Sequence, residues 1–549
     1  MNPQTQPQTA SPTTGGTYPV KDRLSFVWLI LAFVVSLFSN GMTIVPIAAW
    51  LAPVFMLRFL RTRRALPGLL VGYIASAAAF YIYWRPAFLD AGAMFTVYST
   101  AFALLFFLPF VVDRLLAGRV PGFLRTLILP VAWVSVEYTL HLVSPLGTFF
   151  LTPFTQGGNL PLLQILTITG MWSITFLIGW FASVVNYAWE ARFDMQRVGR
   201  GVAVYTVILA AVLLFGGIRL ALNPPTGETV KVAVLTTNVN KEYWPDGEDT
   251  PLDKGLIAGT LSAEELKRVS GTMAEINNDL LARTRVQARA GAKMVTWSEY
   301  NAGVFADAEA QFLAQARQVA REEQIYLAFP LIVLEMDPAK RPAPERLETN
   351  KSVMITPDGE IAYQYVKHNL LTGWEANRAI QGPRQINTID TPYGRLTSVI
   401  CLDMDYPSFM RLAGQQGVDI VLSGAIDGTL ATKGNPMHST MASFRTIEQG
   451  FSLARAGVYG SNVAVDYQGR LLGISGYYTA KDRTVVAQLP IKGTRTLYSQ
   501  VGDIFPQACL VLLAVLVVYA TISAALRRSR VGARAARPAE PHGLEPRAG

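Results

Sequence analysis

Apolar stretches of about 17 to 25 residues, the length that crosses a bilayer as a helix, dominate the first part of this chain. They fall near 24–40, 43–60, 66–84, 94–112, 124–142, 163–187 and 202–222, and an eighth lies near 507–526. Every second connection between them is basic. Lys21 and Arg23 precede the first stretch; Arg58, Arg61, Arg63 and Arg64 join the second to the third; Arg114, Arg119 and Arg125 join the fourth to the fifth. Arg192, Arg197 and Arg200 join the sixth to the seventh, and Arg527, Arg528, Arg530, Arg534 and Arg537 follow the eighth. The other connections hold almost no Lys or Arg, Arg85 being the exception. Basic residues in short loops stay cytoplasmic. The pattern therefore predicts a polytopic α-helical bundle of eight spans, with both termini in the cytoplasm and the segment after the seventh span outside. No small-residue cleavage site follows the first stretch, so it reads as a span and not as a signal peptide. Residues 1–23 read as a disordered tail and 527–549 as a basic cytoplasmic tail.

Charge follows the same division. From Glu228 to Pro506 there are 28 Lys and Arg against 31 Asp and Glu, a net of −3, while the rest of the chain carries 20 against 8, a net of +12. The overall +9 is thus a topology signal. Nucleic-acid binding, which needs basic charge clustered on a folded domain, is excluded. Two cysteines build no disulfide framework, and no Cys/His cluster has zinc spacing, so neither a metal nor an organic cofactor is expected.

Between 229 and 500, short β-branched runs alternate with amphipathic helices, the pattern of an α/β domain with buried sheets. Strands are expected at Val230–Thr237, Lys293–Ser298, Ile325–Leu334, Ser352–Thr356, Leu396–Cys401, Asp419–Leu422, Ser452–Ala456 and Thr484–Leu489. Helices are expected at about Ala263–Ala290, Asp307–Glu323, Pro407–Gln416 and His438–Gln449. Cys401 closes the run Leu396-Thr-Ser-Val-Ile, and a helix follows at Pro407. A thiol at such a turn is either a buried structural residue or a nucleophile. Asp403 and Asp405 nearby raise its pKa, so activation has to come from elsewhere. Two other strand ends supply it. Met294-Val-Thr-Trp-Ser ends in Glu299, and Ile361-Ala-Tyr-Gln-Tyr-Val ends in Lys367. A carboxylate to take the thiol proton, an ammonium for the oxyanion and a thiol to carry the acyl group are the parts of thioester chemistry on amides or esters.

In this order the three residues resemble the Glu-Lys-Cys triad of the nitrilase superfamily, carried on an αββα sandwich. The placement of the domain between the last two spans is similar to the superfamily's membrane branch, the apolipoprotein N-acyltransferases. Ile47-Ala-Ala-Trp-Leu-Ala-Pro-Val-Phe-Met-Leu-Arg-Phe-Leu-Arg61 resembles that branch's second span, and Ser144-Pro-Leu-Gly-Thr148 and Leu160-Pro-Leu-Leu-Gln164 its approach to the sixth. Lys367-His368 with Glu375, the helix His438–Glu448 and the hairpin Val463–Arg470 are similar to its motifs as well. The resemblance implies Glu299 as base, Lys367 as oxyanion cation and Cys401 as nucleophile, with Glu375 orienting Lys367 and Asp403 beside the thiol. The chain departs from the branch at Ser298 (Pro there), at Thr372-Gly-Trp-Glu375 (Pro-Phe-Gly-Glu), at Asp403 (Glu) and at Ser423–Gly428 (Asn-Asp-Ala-Trp-Phe).

The implied activity is N-acyl transfer in a bacterial inner membrane, by a monomer whose domain faces the periplasm or exterior. A membrane phospholipid gives the acyl chain, and a diacylglyceryl-cysteine at a lipoprotein's amino terminus receives it. The alternatives are a membrane-tethered amidase and a catalytically inactive lipid- or lipoprotein-binding relative. Glu137, inside the fifth span, is either a structural hydrogen-bonding group or a head-group contact. His141 and Thr148–Phe154 are expected at the outer interface, the aromatics as an interfacial belt. Pro338–Pro344 with Glu345 and Arg346 reads as an exposed loop. Trp244, Trp297 and Trp374 are candidates for an acyl channel, Trp297 more simply for core.

Overall fold

The computed structural model describes residues 22–87, 92–225, 227–239, 251–343, 345–428 and 436–535. The tail before Asp22, Trp244, Pro344 and the chain beyond Ala535, Arg537 included, lie outside the described residues.

The first part is helical: α1 (Ser25–Ser36), α2 (Pro46–Thr62), α3 (Ala65–Trp84), α4 (Gly92–Leu116), α5 (Ile128–Val143), α6 (Leu160–Leu163), α7 (Leu166–Thr169), α8 (Trp172–Glu190) and α9 (Met195–Leu222). A last apolar helix covers Ile504–Ala535. Among the described residues, five helices are long and apolar enough to cross a membrane, six if the pair bent by 117° between Leu160–Thr169 and Trp172–Glu190 is one span. Eight full-length spans are therefore not what the helices amount to. The first stretch yields only the 12 residues of α1, which passes after Ser36 into tight turns that lead to Gly41 (φ +84°), where a Cβ would sit 2.4 Å from the Tyr83 carbonyl. The second yields the 17 residues of α2, opened by Pro46. The sixth breaks at Gly170 (φ +67°), where a Cβ would strike the Tyr498 ring.

Two of the basic residues read as loop charges are bundle residues. Arg58 and Arg61 lie in the last turns of α2, buried, Arg58 on Asp22 (2.7 Å) and Arg61 between Asp113 and Glu190 (3.0 Å each). Arg125 completes the group on Glu190 at 2.8 Å. A buried guanidinium persists only with such partners. Thr148–Phe154 departs from expectation as well. The segment folds inward, so Phe149, Phe150 and Phe154 are buried against Trp84 and Phe444 and form no belt. Glu137 explains the fold of this segment: fully buried, it accepts from Thr152 N (3.0 Å), Thr152 Oγ1 (2.5 Å), Thr175 Oγ1 (2.6 Å) and Trp133 Nε1 (3.2 Å). Its role is structural.

The remainder alternates strands and helices. The strands are β1 (Thr229–Leu235), β2 (Met294–Trp297), β3 (Ala302–Phe305), β4 (Tyr326–Leu334), β5 (Glu348–Ile355), β6 (Ile361–Val366), β7 (Thr388–Thr391), β8 (Gly394–Ile400), β9 (Ile420–Ile426), β10 (Ser452–Val458), β11 (Ser461–Val465), β12 (Leu471–Gly476) and β13 (Thr484–Pro490). Between them run α10 (Pro251–Ala258), α11 (Ala263–Arg289), α12 (Glu309–Glu323), α13 (Trp374–Arg378), α14 (Pro407–Gln416) and α15 (Pro436–Gln449), with α16 (Leu497–Val501) last. One sheet runs β13-β1-β2-β4-β5-β6, with β3 on β4, and the other β12-β11-β10-β9-β8-β7.

Alternation along each strand divides the apolar residues between two faces. Val230, Val232 and Val234 of β1 face Ile420, Leu422 and Ala454 of the other sheet, whereas Ala233 and Leu235 face Ile276 and Leu280 of α11. On the far side, Val399 and Val421 lie under Phe409 and Met410 of α14 and Ala442 of α15. The layers are thus helix, sheet, sheet, helix. The helical layer of α15 sits on the bundle: Arg445 pairs with Glu448 (2.5 Å), Glu448 accepts from Met171 N (2.9 Å), and Asp503 accepts from Trp172 Nε1 (2.9 Å) and Tyr498 OH (2.7 Å).

Glu137→Ala strands several buried donors at once and is expected to cost about 2–3 kcal/mol. Thermal unfolding in detergent measures it; an unchanged midpoint would show that the carboxyl does not hold the Thr152 segment.

Candidate active site

Three strand ends of the two sheets converge on one point. Glu299 stands two residues beyond β2, Lys367 follows β6 directly, and Cys401 follows β8 directly. β2 and β6 run the same way in one sheet, since β2 is parallel to β4 and two antiparallel steps lead from β4 to β6, while β8 comes from the sheet packed against it. Lys367 Nζ lies 2.9 Å from Glu299 Oε1 and 2.7 and 2.8 Å from the two oxygens of Glu375, and all three side chains are buried. Glu375 is on α13 and also accepts from Leu371 N at 2.8 Å, which fixes the helix start over the lysine.

Cys401 opens the tight turn Cys401–Asp405 with φ +45°, a left-handed conformation rare for a residue with a side chain. Its Sγ donates to Ile426 O at 3.5 Å, and Ile426 N donates to Glu299 Oε2 at 3.1 Å. The end of β9 therefore touches both thiol and carboxylate. Asp403 sits in the same turn, and its oxygens are occupied: one accepts from Asn369 N and Nδ2 (2.9 Å each), the other from Tyr365 OH (2.8 Å) and Ile400 N (3.2 Å). It ties the thiol's turn to the Lys367 loop.

The electrostatics follow from burial and these neighbours. Burial, and then the Glu299 charge, push the Cys401 thiol well above the usual range, with Lys367 pulling the other way. Burial also opposes the Lys367 ammonium, but Glu299 and Glu375 outweigh it and hold the lysine protonated far above its ordinary value. Burial lifts Glu375, against the pull of Lys367. At rest the site thus holds a protonated thiol beside a charged lysine.

Pattern reading missed Asn350, in the middle of β5. Its Nδ2 donates to Glu299 Oε1 (2.7 Å) and Glu375 Oε1 (3.0 Å), bridging the two carboxylates that flank Lys367. The available signal was a run of polar residues on one face of a central strand, Glu348, Asn350 and Ser352, all buried. Glu348, pushed up to about 8 by burial, accepts from Tyr300 OH and pairs with Arg378, which also holds Asp253. Trp297 is core, on Phe329 and Thr284. Arg346, expected on an exposed loop, is half-buried and donates to the Ala379 carbonyl at 2.5 Å. Among the described residues no group of three or more His, Cys, Asp or Glu is placed to hold a metal ion.

The thiolate is the reactive form. Alkylation of Cys401 by iodoacetamide should therefore be slow at neutral pH and rise through the alkaline range. Lys367→Met removes the attraction that favours thiolate, so the rate curve should move to higher pH by about one unit, roughly tenfold in rate at fixed pH. An unmoved curve would mean that the thiol does not sense the lysine.

Residues 262–501 match the carbon-nitrogen hydrolase family. Over 426 residues the chain is 23% identical to an apolipoprotein N-acyltransferase of Geobacter metallireducens, covering 73% of this chain and 75% of that protein. Over 529 residues it is 19% identical to apolipoprotein N-acyltransferase 1 of Treponema denticola, covering 88% and 93%. Among solved structures, an amidase from Nesterenkonia sp. aligns with 50% of this chain and 94% of its own, at 17% identity and a TM-score of 0.35.

Proposed function

We propose that this chain, a carbon-nitrogen hydrolase relative of the apolipoprotein N-acyltransferases, moves an acyl chain from a membrane phospholipid to a lipoprotein's amino terminus through a thioester on Cys401. The observation that carries the reading is the meeting of Lys367, Glu299 and Glu375 beside the Cys401 turn, at the face of a domain seated on an apolar bundle. A domain that only hydrolysed small amides from water would need no such seat. An ester drawn from a bilayer does.

In the first step Glu299 takes the Cys401 proton as Sγ attacks the ester carbonyl. Lys367 offsets the charge that develops on the carbonyl oxygen. The tetrahedral adduct collapses, the C–O bond breaks, and the departing alkoxide takes the proton back from Glu299, giving lysophospholipid and acyl-Cys401. In the second step the neutral α-amine of a diacylglyceryl-cysteine attacks the thioester and passes a proton to Glu299. Collapse breaks the C–S bond, the thiolate recovers that proton, and an amide leaves. Glu375 and Asn350 keep Lys367 and Glu299 in place throughout.

The topology belongs to the same reading: eight spans, with α1, α2 and the bent α6–α8 pair crossing with help from their neighbours, both termini cytoplasmic and residues 229–500 outside. The basic connections support it.

Incubation of the full chain in detergent with a defined phospholipid should add one acyl mass to the peptide containing Cys401. The adduct should persist until an amine acceptor is supplied, and Cys401→Ala should abolish it. Rapid release of free fatty acid without an adduct would favour hydrolysis and sink the transferase reading.

A further inference from the structure

The turn that carries Cys401 is gripped from two sides, and one of them belongs to the membrane bundle. On the domain side, Asp403 is bound to Tyr365, Asn369 and Ile400. The other end of the turn is Asp405, and its carbonyl oxygen accepts from Thr148 N (3.1 Å) and Thr148 Oγ1 (2.8 Å). Thr148 lies in the loop that leaves α5. Gly147 (φ +56°) passes so close that a Cβ there would fall 2.7 Å from the same carbonyl oxygen, and Tyr406 OH donates to Ser144 O at 3.3 Å. The Asp405 carboxylate is held as well. His438 Nδ1 stands 3.1 Å from its Oδ2, and the imidazole stacks on Phe149 of the same loop, with centroids 5.0 Å apart and planes at 26°. Thr148 and Asp405 are buried.

We infer that Ser144–Phe149 is a clamp by which the membrane bundle sets the position of the nucleophile turn, with Thr148 its positioning residue and His438 its second arm. The inference rests on Cys401 being the acylated residue. A left-handed cysteine keeps its backbone only where the surroundings over-determine it. Asp403 fixes the turn near its start, and Thr148 and His438 fix its end at Asp405. Releasing that end lets the turn relax toward ordinary φ and carries Sγ away from the carbonyl it must reach. Errors of about 1 Å at a reacting atom cost about a hundredfold. The loss falls on the chemical step and leaves lipid capture alone, since neither clamp residue needs to touch lipid. Acyl transfer is thereby confined to a domain seated on its bundle.

The test uses the full chain in dodecyl maltoside mixed micelles with dioleoyl phosphatidylethanolamine at varied mole fraction, following acyl-Cys401 by intact mass. Thr148→Val should lower the maximal acylation rate about tenfold, the worth of one buried hydrogen bond, with the half-saturating mole fraction unchanged. Thr148→Ser should restore the rate to within about twofold, because it returns the hydroxyl. His438→Phe keeps a ring on Phe149 and loses Asp405, and should lower the maximal rate too; it decides alone by the same criterion if Thr148→Val does not fold. Wild-type maximal rates in both variants, or a change confined to half-saturation, would overturn the clamp. An acyl mass gained by Cys401→Ala would instead overturn the assignment of the nucleophile, whatever the clamp variants do.

Discussion

An ammonium buried between two carboxylates is the interaction on which this site depends. Lys367 out of water would cost several kcal/mol, and Glu299 and Glu375 at 2.9 and 2.7 Å offset that cost only while both stay in place. This demand fixes the arrangement of the elements around it. Glu299 comes from the end of β2, Lys367 from the end of β6 and Glu375 from α13, so two strand ends and a short helix have to meet within hydrogen-bonding distance. The β5–β6 register delivers the lysine, with Lys367 N donating to Asn350 O at 2.9 Å, and the Asn350 side chain then ties the carboxylates together. Behind them Arg378, the last residue of α13, is paired with Glu348 of β5. The helix that brings Glu375 over the lysine is thereby fastened at its other end.

The bundle meets the same demand for partners in a different medium. Arg61 with Asp113 and Glu190, and Glu137 with two threonines and a tryptophan, are buried polar groups whose contacts join separate helices. Unpaired, each would be expensive; paired, each fixes how two or three helices lie against one another. Glu137 matters beyond the bundle. It folds Thr152 inward, and the same inward segment carries Phe149 to His438 and Phe154 to Phe444 of α15. Interactions within the apolar half thus shape the floor on which the α/β half rests, and that floor reaches the turn of Cys401.

The alternating strands and helices were readable because β-branched runs and amphipathic repeats report local structure. That Glu299, Lys367 and Cys401 stand at or just beyond strand ends was readable because each closes such a run. Asn350 was not, since it stands inside a strand and its role appears only when Glu299 and Glu375 arrive from elsewhere. The contact between Thr148 and Asp405 joins residues 257 positions apart, beyond any local pattern. Arg58 and Arg61 misled for a related reason. A basic residue near a span's end reads as a loop charge, and only the partners Asp22, Asp113 and Glu190 reveal that the helix continues through them. The break of the sixth span lies at Gly170, where α7 and α8 diverge around Tyr498, a residue from the far end of the chain.

Charge balance explains why a thiol this reluctant to ionise suits the proposed exchange. In the proposed exchange the Glu299 carboxylate, acting as base, carries the negative charge that faces Lys367 and the Cys401 turn. Passing the thiol proton to Glu299 relocates that charge and creates none, so the transfer needs no new ion buried in a poorly solvated site. A permanently ionised thiolate would instead place a second negative charge beside Glu299, which burial and that carboxylate both oppose. When the charge moves on to the carbonyl oxygen of an ester, Lys367 is free to follow it, since Glu299 is by then neutral and only Glu375 still competes for the ammonium. In the proposed exchange the lysine's two anchors are thus unequal: Glu299 lets go as the proton arrives, and Glu375 keeps the ammonium from leaving the site.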